Sequence, residues 1–288
     1  MAHDISRSTE SLRIILYVPK LTLVDRDLTF LEIEKAFLDF VEDFHAQRDY
    51  RQDFIGIAQK HGIKICVSKQ NQAFNIGEER VILINPNTGY RRFAFTGWHE
   101  LSHHLFKEAQ NGDLEAFLFE CVNGDLEQQR QLEEDLCFKA AALLLMPSHI
   151  LHEVIAQEGY SPLAVFELAE RTGASIEAAM RRVVWSRSTD NHAVLMQDDG
   201  YVLSSAGSGR RANFCVGYQF FIKEDHPLRA RPFSPLKEER FEAPVPFKRS
   251  SQVWKSKVVA AANSDCSRIL AFFLNQYLTE SPGQIPLF

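Results

Sequence analysis

The chain has 288 residues, of which 45% are hydrophobic and 24% charged. That balance fits a globule with a real core and room for more than one domain, and excludes a disordered or fibrous chain. A net charge of -6 argues against a broad basic surface for gripping a phosphate backbone, leaving room only for a small local DNA site.

The first residues, MAHDISRSTESLRIILYVPKLTLVD, lack a basic region leading into a clean apolar run and a small-residue cleavage site. No stretch approaches the roughly eighteen apolar residues that a membrane span requires. The five cysteines Cys66, Cys121, Cys137, Cys215 and Cys266 form no CxxC pair. They read as reduced interior thiols, and the compartment as cytoplasm.

Residues 28–60 carry helical periodicity: Leu31, Ile33, Ala36, Phe37, Phe40, Val41 and Phe44 recur at threes and fours, and Phe54, Ile57 and Ala58 continue the pattern. His61-Gly62 ends it. Strands are predicted at IKICV (63–67) and RVILIN (80–85), with a turn around Lys69–Gln72 between them. From 92 to 182 the chain reads as helical, broken at Gly112, Gly124, Pro147, Gly159–Pro162 and Gly173. Short strands in this context imply an α+β fold, a small sheet packed on helices.

The strongest chemical signal sits in that helical text: His99-Glu100-Leu101-Ser102-His103, an HExxH motif. On a helix, Trp98, Leu101 and Leu105 mark one apolar side. His99 and His103, four apart, stack on another side and can reach one ion. Glu100 stands beside them, placed to take a proton from the attacking water instead of ligating. His104 points about 100° away from His103, the angular step of a helix, and reads as a surface or second-shell residue.

A hydrolytic zinc site wants three protein ligands and one open position. The candidates for the third are the carboxylates of LEEDLCFKAAALLLMP, where Glu133, Glu134 and Asp135 open a helix whose inward positions are Cys137, Ala140, Ala141, Leu144 and Leu145. Glu134, Cys137 and Ala141 fall at i, i+3 and i+7; Glu133, Cys137 and Ala141 are spaced by fours. Spacing leaves both glutamates open, and a solvated first turn favoured by the helix dipole is the bland alternative. Small alanines would let this helix approach its neighbour closely.

Further along, Leu163, Phe166, Leu168 and Ala169 form an apolar face, Gly173 gives a turn, and Ser175 can cap a second helix carrying Ile176, Ala179 and Val183. Arg181, Arg182 and Arg187 add local positive charge. The pair reads as a structural or docking module before a DNA reader, because no wider basic stripe accompanies it. After Trp185 the text turns to β: HAVLMQDDGYVLSS as a hairpin turning at Asp198–Gly200, then NFCVGYQFFI, a Pro-rich passage at 227–246, and WKSKVVAAA and SRILAFFL flanking Asn263-Ser264-Asp265. Phe214, Tyr218, Phe220, Phe221, Phe272 and Phe273 on these strands read first as core, and second as the lining of a small-ligand pocket.

WHELSHHLF followed by EEDLCFKAAALLLMP resembles the ImmA/IrrE family of metallopeptidases, the M78 class. That family's pattern is an HExxH helix, then a Glu, a small or Cys residue three positions on, and an Ala-rich helix ending in Leu-Met-Pro. The resemblance implies a zincin-like fold and a gluzincin-type metalloendopeptidase with His99, His103 and Glu134 as zinc ligands (Mn2+ being possible as the activating metal) and Glu100 as general base. RVILIN resembles the strand that runs into the catalytic helix. Ala94 and Trp98 depart from the family pattern, standing where relatives have a basic and a small residue, so the packing near the site is expected to differ.

FELAERTGASIEAAMRR resembles the helix-turn-helix-like segment of the family's radiation-response members, and residues 225–260 resemble their C-terminal GAF-like α/β domain. The implied organisation is a metallopeptidase domain at 1–150 with a divergent first 50 residues, a helix-turn-helix-like module at 151–186 and a GAF-like domain at 187–288. The implied function is site-specific cleavage of an XRE-type helix-turn-helix transcriptional repressor in a DNA-damage or stress response, with an extended substrate lying beside an edge strand near 63–84. Direct DNA binding and a membrane partner are not expected, and a small ligand in the last domain is a reading that ranks behind plain core packing. The rival reading is a DNA-binding or protein-binding regulator whose metal site is structural.

Overall fold

The protein, examined as a computed structural model, is described over residues 29–187, 191–208, 220–246 and 255–274. Cys215, Phe214, Tyr218 and most of NFCVGYQFFI lie outside these residues.

Helix α1 spans Phe30–Ala46, closed at its start by a capping box between Thr29 and Glu32. It buries Ile33, Phe37, Val41, Phe44 and His45. Leu31, counted on that face from its spacing, is 74% exposed instead. Helix α2 (Phe54–Lys60) is capped by Asp53, whose side chain accepts from the Gly56 N–H. Strand β1 (Ile63–Val67), strand β2 (Gln72–Ile76) and strand β3 (Glu79–Ile84) then form a mixed sheet in the order β1-β3-β2. β1 runs parallel to β3, and β2 antiparallel to it. β2 falls just after the expected turn; QAFNI has no alternation of buried and exposed positions to announce a strand.

The helices that follow respect the breaks read from the sequence: α3 (Tyr90–Glu108), α4 (Asp113–Cys121), α5 (Leu126–Leu145), α6 (Ser148–Glu158), α7 (Pro162–Thr172) and α8 (Ile176–Trp185). α5 begins earlier than expected. Gly124 adopts φ +80°, and Asp125 then accepts from the N–H groups of Glu127 and Gln128. Glu133–Asp135 therefore lie two turns inside the helix, and the dipole-favoured first turn is no account of them. The inward positions Cys137, Ala140, Ala141, Leu144 and Leu145 are all buried, as their spacing predicts. No single described helix is long and apolar enough to cross a membrane.

α7 and α8 turn on Gly173 at φ +68°, with Ser161 and Ser175 as N-caps. On α7 the buried face is Ala164, Val165, Leu168 and Ala169, so Leu163 and Phe166 sit at its border. α8 buries Ala179, Met180, Val183 and Val184. The arginines are drawn into the fold. Arg182 donates to the Met146 carbonyl (3.3 Å) and the Ser148 hydroxyl (3.1 Å), and burial pulls its pKa down to about 10. Arg187 stacks over Tyr160 at 4.6 Å.

The described C-terminal residues form a five-stranded sheet in the order β5-β4-β8-β7-β6, antiparallel throughout. Its strands are β4 (His192–Gln197), β5 (Val202–Gly207), β6 (Glu239–Pro244), β7 (Lys255–Ala262) and β8 (Arg268–Leu274). β6 falls within the Pro-rich passage, where Pro244 ends the strand. Among the described residues no helix follows α8, so the sheet's helical neighbours come from α7 and α8. Both faces are buried: Ala193, Leu195, Leu270, Phe272 and Leu274 join the helical core, while Val194, Met196, Ala271 and Phe273 line a second cluster with Leu228 and Phe241. Two-sided burial explains why HAVLM and RILAFFL are apolar runs and not alternations. It also sends Phe272 and Phe273 to opposite faces, so they cannot line one pocket together.

Candidate metal centre

α3 and α5 pack along one another, and their facing sides build the site. One side of α3 is core: Trp98, Leu101, Leu105 and Phe106 are wholly buried, each contributing about 2 kcal/mol of apolar burial. Trp98 packs on His45 (ring centroids 5.4 Å) and Phe54 (6.1 Å). Its bulk is thus taken up behind the helix and does not reach the ligand face. Gly97 permits the approach, since a Cβ there would lie 2.4 Å from the Phe54 ring. His104, expected at the surface or in the second shell, is 2% exposed and shares a hydrogen bond with the Val81 carbonyl at 3.2 Å. It ties α3 to β3, and burial lowers its pKa to about 4.

The ligand face carries His99 and His103, with centroids 4.9 Å apart and planes at 85°. Glu134 reaches across from α5: Oε2 lies 3.3 Å from His99 Nε2 and Oε1 lies 3.7 Å from His103 Nε2. One donor atom from each of these three falls within 4.8 Å of the others. The alternative carboxylate, Glu133, does something else. Its Oε1 sits 3.0 Å from His103 Nδ1, the nitrogen turned away from Glu134, and Cys137 Sγ lies 3.5 Å from the same atom. Neighbouring glutamates thus divide between the two sides of one imidazole. An i, i+4 pair of imidazoles with a carboxylate opposite is the donor set of a His2Glu zinc site. A carboxylate on the far ring nitrogen is the partner that orients a ligating histidine and raises its basicity. The residues fit a divalent metal.

The electrostatics agree with close-set donors. His99 is lowered by burial first and by the neighbouring His103 second. At His103 burial also acts downward, but the Glu133 hydrogen bond and the charges of Glu133, Glu134 and Glu100 outweigh it, so its pKa is raised. Glu100, 6% exposed, is pushed up to about 7 by burial, with His103 opposing and Glu134 adding to the shift. The Ala73 backbone on β2 offers its carboxylate a hydrogen bond. That contact places the free edge of β2 beside Glu100, on a strand that the sequence pattern does not predict. A carboxyl group poised near neutrality suits a proton carrier.

Of the sulfurs, Cys137 is buried and Cys66, Cys121 and Cys266 are partly buried, all as free thiols.

Residues 58–184 match the IrrE N-terminal-like domain of the M78 peptidases. Two curated proteins, each described as radiation response metalloprotease IrrE, are similar in sequence. The one from Deinococcus deserti is 36% identical over 103 residues, covering 36% of this chain and 35% of that protein. The one from Deinococcus radiodurans is 27% identical over 202 residues, covering 64% and 60%. The chain therefore spans less than two thirds of either relative. A solved structure titled Mycobacterium tuberculosis transcriptional regulator is 13% identical, with a TM-score of 0.49 over 86% of this chain and 81% of the other.

Proposed function

We propose that this chain, whose residues 58–184 match the IrrE N-terminal-like domain of the M78 peptidases, is a metal-dependent, site-specific endopeptidase of the ImmA/IrrE family. The observation that carries the reading is the convergence of His99, His103 and Glu134 within 4.8 Å, with the buried Glu100 alongside. His99, His103 and Glu134 would hold the metal, zinc by donor type with Mn2+ as the alternative. When bound, such an ion polarises a carbonyl and makes water a competent nucleophile near neutral pH.

The chain's own residues supply the rest. Glu133 fixes the His103 ring through Nδ1. Glu100 takes a proton from the attacking water and returns it to the leaving amine, a task matched by its pKa of about 7. An extended substrate would lie along the free edge of β2, held by main-chain hydrogen bonds. The rival reading, a regulator with a structural metal, calls for a fourth protein ligand. No further His, Cys, Asp or Glu among the described residues joins the His99–His103–Glu134 set.

The substrate we infer is a helix-turn-helix transcriptional repressor of XRE type, cut in a DNA-damage or stress response in the cytoplasm. Both curated relatives carry radiation response in their descriptions. The tying-in of Arg182 and Arg187 favours α7–α8 as a docking platform over a DNA reader. The test pairs metal analysis with incubation against the organism's candidate repressors, wild type beside E100A. A metal-loaded protein that cuts none of them would sink the substrate assignment, and equal cutting by E100A would sink the mechanism.

A further inference from the structure

One helical turn from the metal ligands, a cleft of about 670 Å3 opens between α3, α5 and α8, lined among others by Arg92, Phe95, Phe138, Leu145, Ala178 and Arg181. Its position follows from helix geometry. Phe95 precedes His99 by four residues on α3, and Phe138 follows Glu134 by four on α5, so His99 and Glu134 each have a phenylalanine stacked next to them on the same helix face. The two rings meet at 5.0 Å, and Phe138 also packs edge-on against the His99 imidazole at 5.2 Å. Phe138 is 50% exposed although it sits on the helix that carries Glu134. An aromatic left half open beside the reacting centre has apolar surface to offer an incoming group.

The charge at this cleft has one sign. Arg92 and Arg181 both line it, and neither has a carboxylate within ion-pair distance among the described residues. The one side-chain contact of Arg181 there is a 3.4 Å hydrogen bond to the Ser204 hydroxyl. Apolar walls beside two unneutralised guanidinium groups complement a large apolar side chain next to an acidic one.

Resting on the protease reading above, we propose that this cleft is the specificity pocket of the site. It takes a Leu, Met or Phe side chain of the substrate adjacent to the cleaved bond, with an Asp or Glu within two residues directed to Arg92 and Arg181. α8 would thereby shape substrate choice through Ala178 and Arg181 without touching the metal ligands.

The test is cleavage of a proteome-derived peptide library by the zinc-loaded full chain, with cut sites read by mass spectrometry for wild type, E100A, A178F and the R92E/R181E double variant. Wild type is expected to enrich Leu, Met and Phe at one position beside the cut and Asp or Glu nearby. A178F, which fills the cleft, should lower kcat/KM for such peptides about tenfold to a hundredfold, the range that a few methylenes in a pocket command. Peptides with Gly or Ala at that position should stay within about twofold. The charge swap should move the flanking preference from Asp/Glu to Lys/Arg, by about threefold to fivefold and mainly in KM, as for exposed ion pairs. Glu100-dependent cleavage with a flat profile, or a profile unchanged in A178F, overturns the pocket alone. Absence of any Glu100-dependent cleavage overturns the protease reading and the pocket with it.

Discussion

The α3–α5 pair and the five-stranded sheet are both deeply buried, but they bury different things. Around α3 the interior holds His45, Glu100, Ser102 and His104, and His99 and His103 stand beside them. In the sheet the buried polar groups are mostly serines, Ser204, Ser208 and Ser256, set among Ala193, Ala260, Ala261, Ala262 and Ala271 and the large apolar residues Leu195, Leu270, Phe272 and Phe273. Taking an ionisable group out of water costs free energy unless a partner compensates. The helical region carries that cost at several positions, where chemistry needs it; the described strands of the sheet carry it at His192 alone and otherwise pack. Substitutions should therefore separate cleanly: the first region losing activity at little cost in stability, the second losing stability while its folded fraction keeps the site.

The largest expected effect is at Glu100. E100Q keeps the shape and removes the base, so cleavage should fall by about a hundredfold to ten-thousandfold. Metal content should be unchanged and the thermal midpoint equal or higher, since a buried carboxyl group is replaced by a neutral amide. A clear drop in midpoint with cleavage intact would break the contrast at its sharpest point.

The mirror experiment is F272A. Phe272 is 1% exposed, sits in the core shared with the helices, and meets Tyr160 at 5.2 Å. Truncation should cost about 3–5 kcal/mol in urea unfolding. Metal stoichiometry of the folded fraction should remain that of wild type; loss of metal before unfolding would show the two regions to be one functional unit.

A finer cut within the site comes from E133Q. Glu133 touches His103 Nδ1, not the Nε2 that faces Glu134, so it should act through the orientation of the ring. Chelator competition should show metal affinity weakened about tenfold to a hundredfold with stoichiometry retained. Complete loss of metal would make Glu133 a ligand and Glu134 the supporting group.

These residues also show where sequence reading reached and where it stopped. HExxH on a helix places His99, Glu100 and His103 because i, i+4 spacing is a local property. The choice between Glu133 and Glu134 is not local. Both positions suit α5, and only the angle between α3 and α5 sends one to each side of His103. His104 was misread for the same reason: its 100° offset from His103 is a fact about one helix, whereas β3 lying across that offset is a fact about the fold. Helix boundaries between α3 and α8 were legible from Gly and Pro, but not the α1–α2 break, and not the reach of α5, which starts at Leu126, seven residues ahead of Glu133. β2 was missed because its half-buried residues, Ala73 and Phe74, are neighbours and do not alternate, while Gln72, Asn75 and Ile76 are exposed. In the sheet, apolar runs announced strands but not which face met the helices.

The smallest effect probes whether pH sensitivity also belongs to the helical region. His45 is 1% exposed, lies against Trp98 and Tyr50, and shares a 2.9 Å hydrogen bond with the Arg51 carbonyl. Burial holds its pKa below the ordinary 6.5, although the nearby Glu42 and the Arg51 contact oppose the shift. The unfolded chain therefore takes up a proton at His45 more readily than the folded one does. Its contribution to stability is present above pH 6.5 and is lost as the pH falls through the folded value. One proton limits the slope to about 1.4 kcal/mol per pH unit. H45Q keeps a donor for the Arg51 carbonyl and cannot titrate in this range, so it should be less stable than wild type at pH 7.5 by a gap that narrows as the pH drops below 6.5. His61 and His104, both lowered to about 4 by burial, remain in the variant and keep part of the acid sensitivity. Urea unfolding of both proteins across that range reads the gap directly. A gap that stays constant with pH would mean that His45 is only a packing residue, no different in kind from those of the sheet.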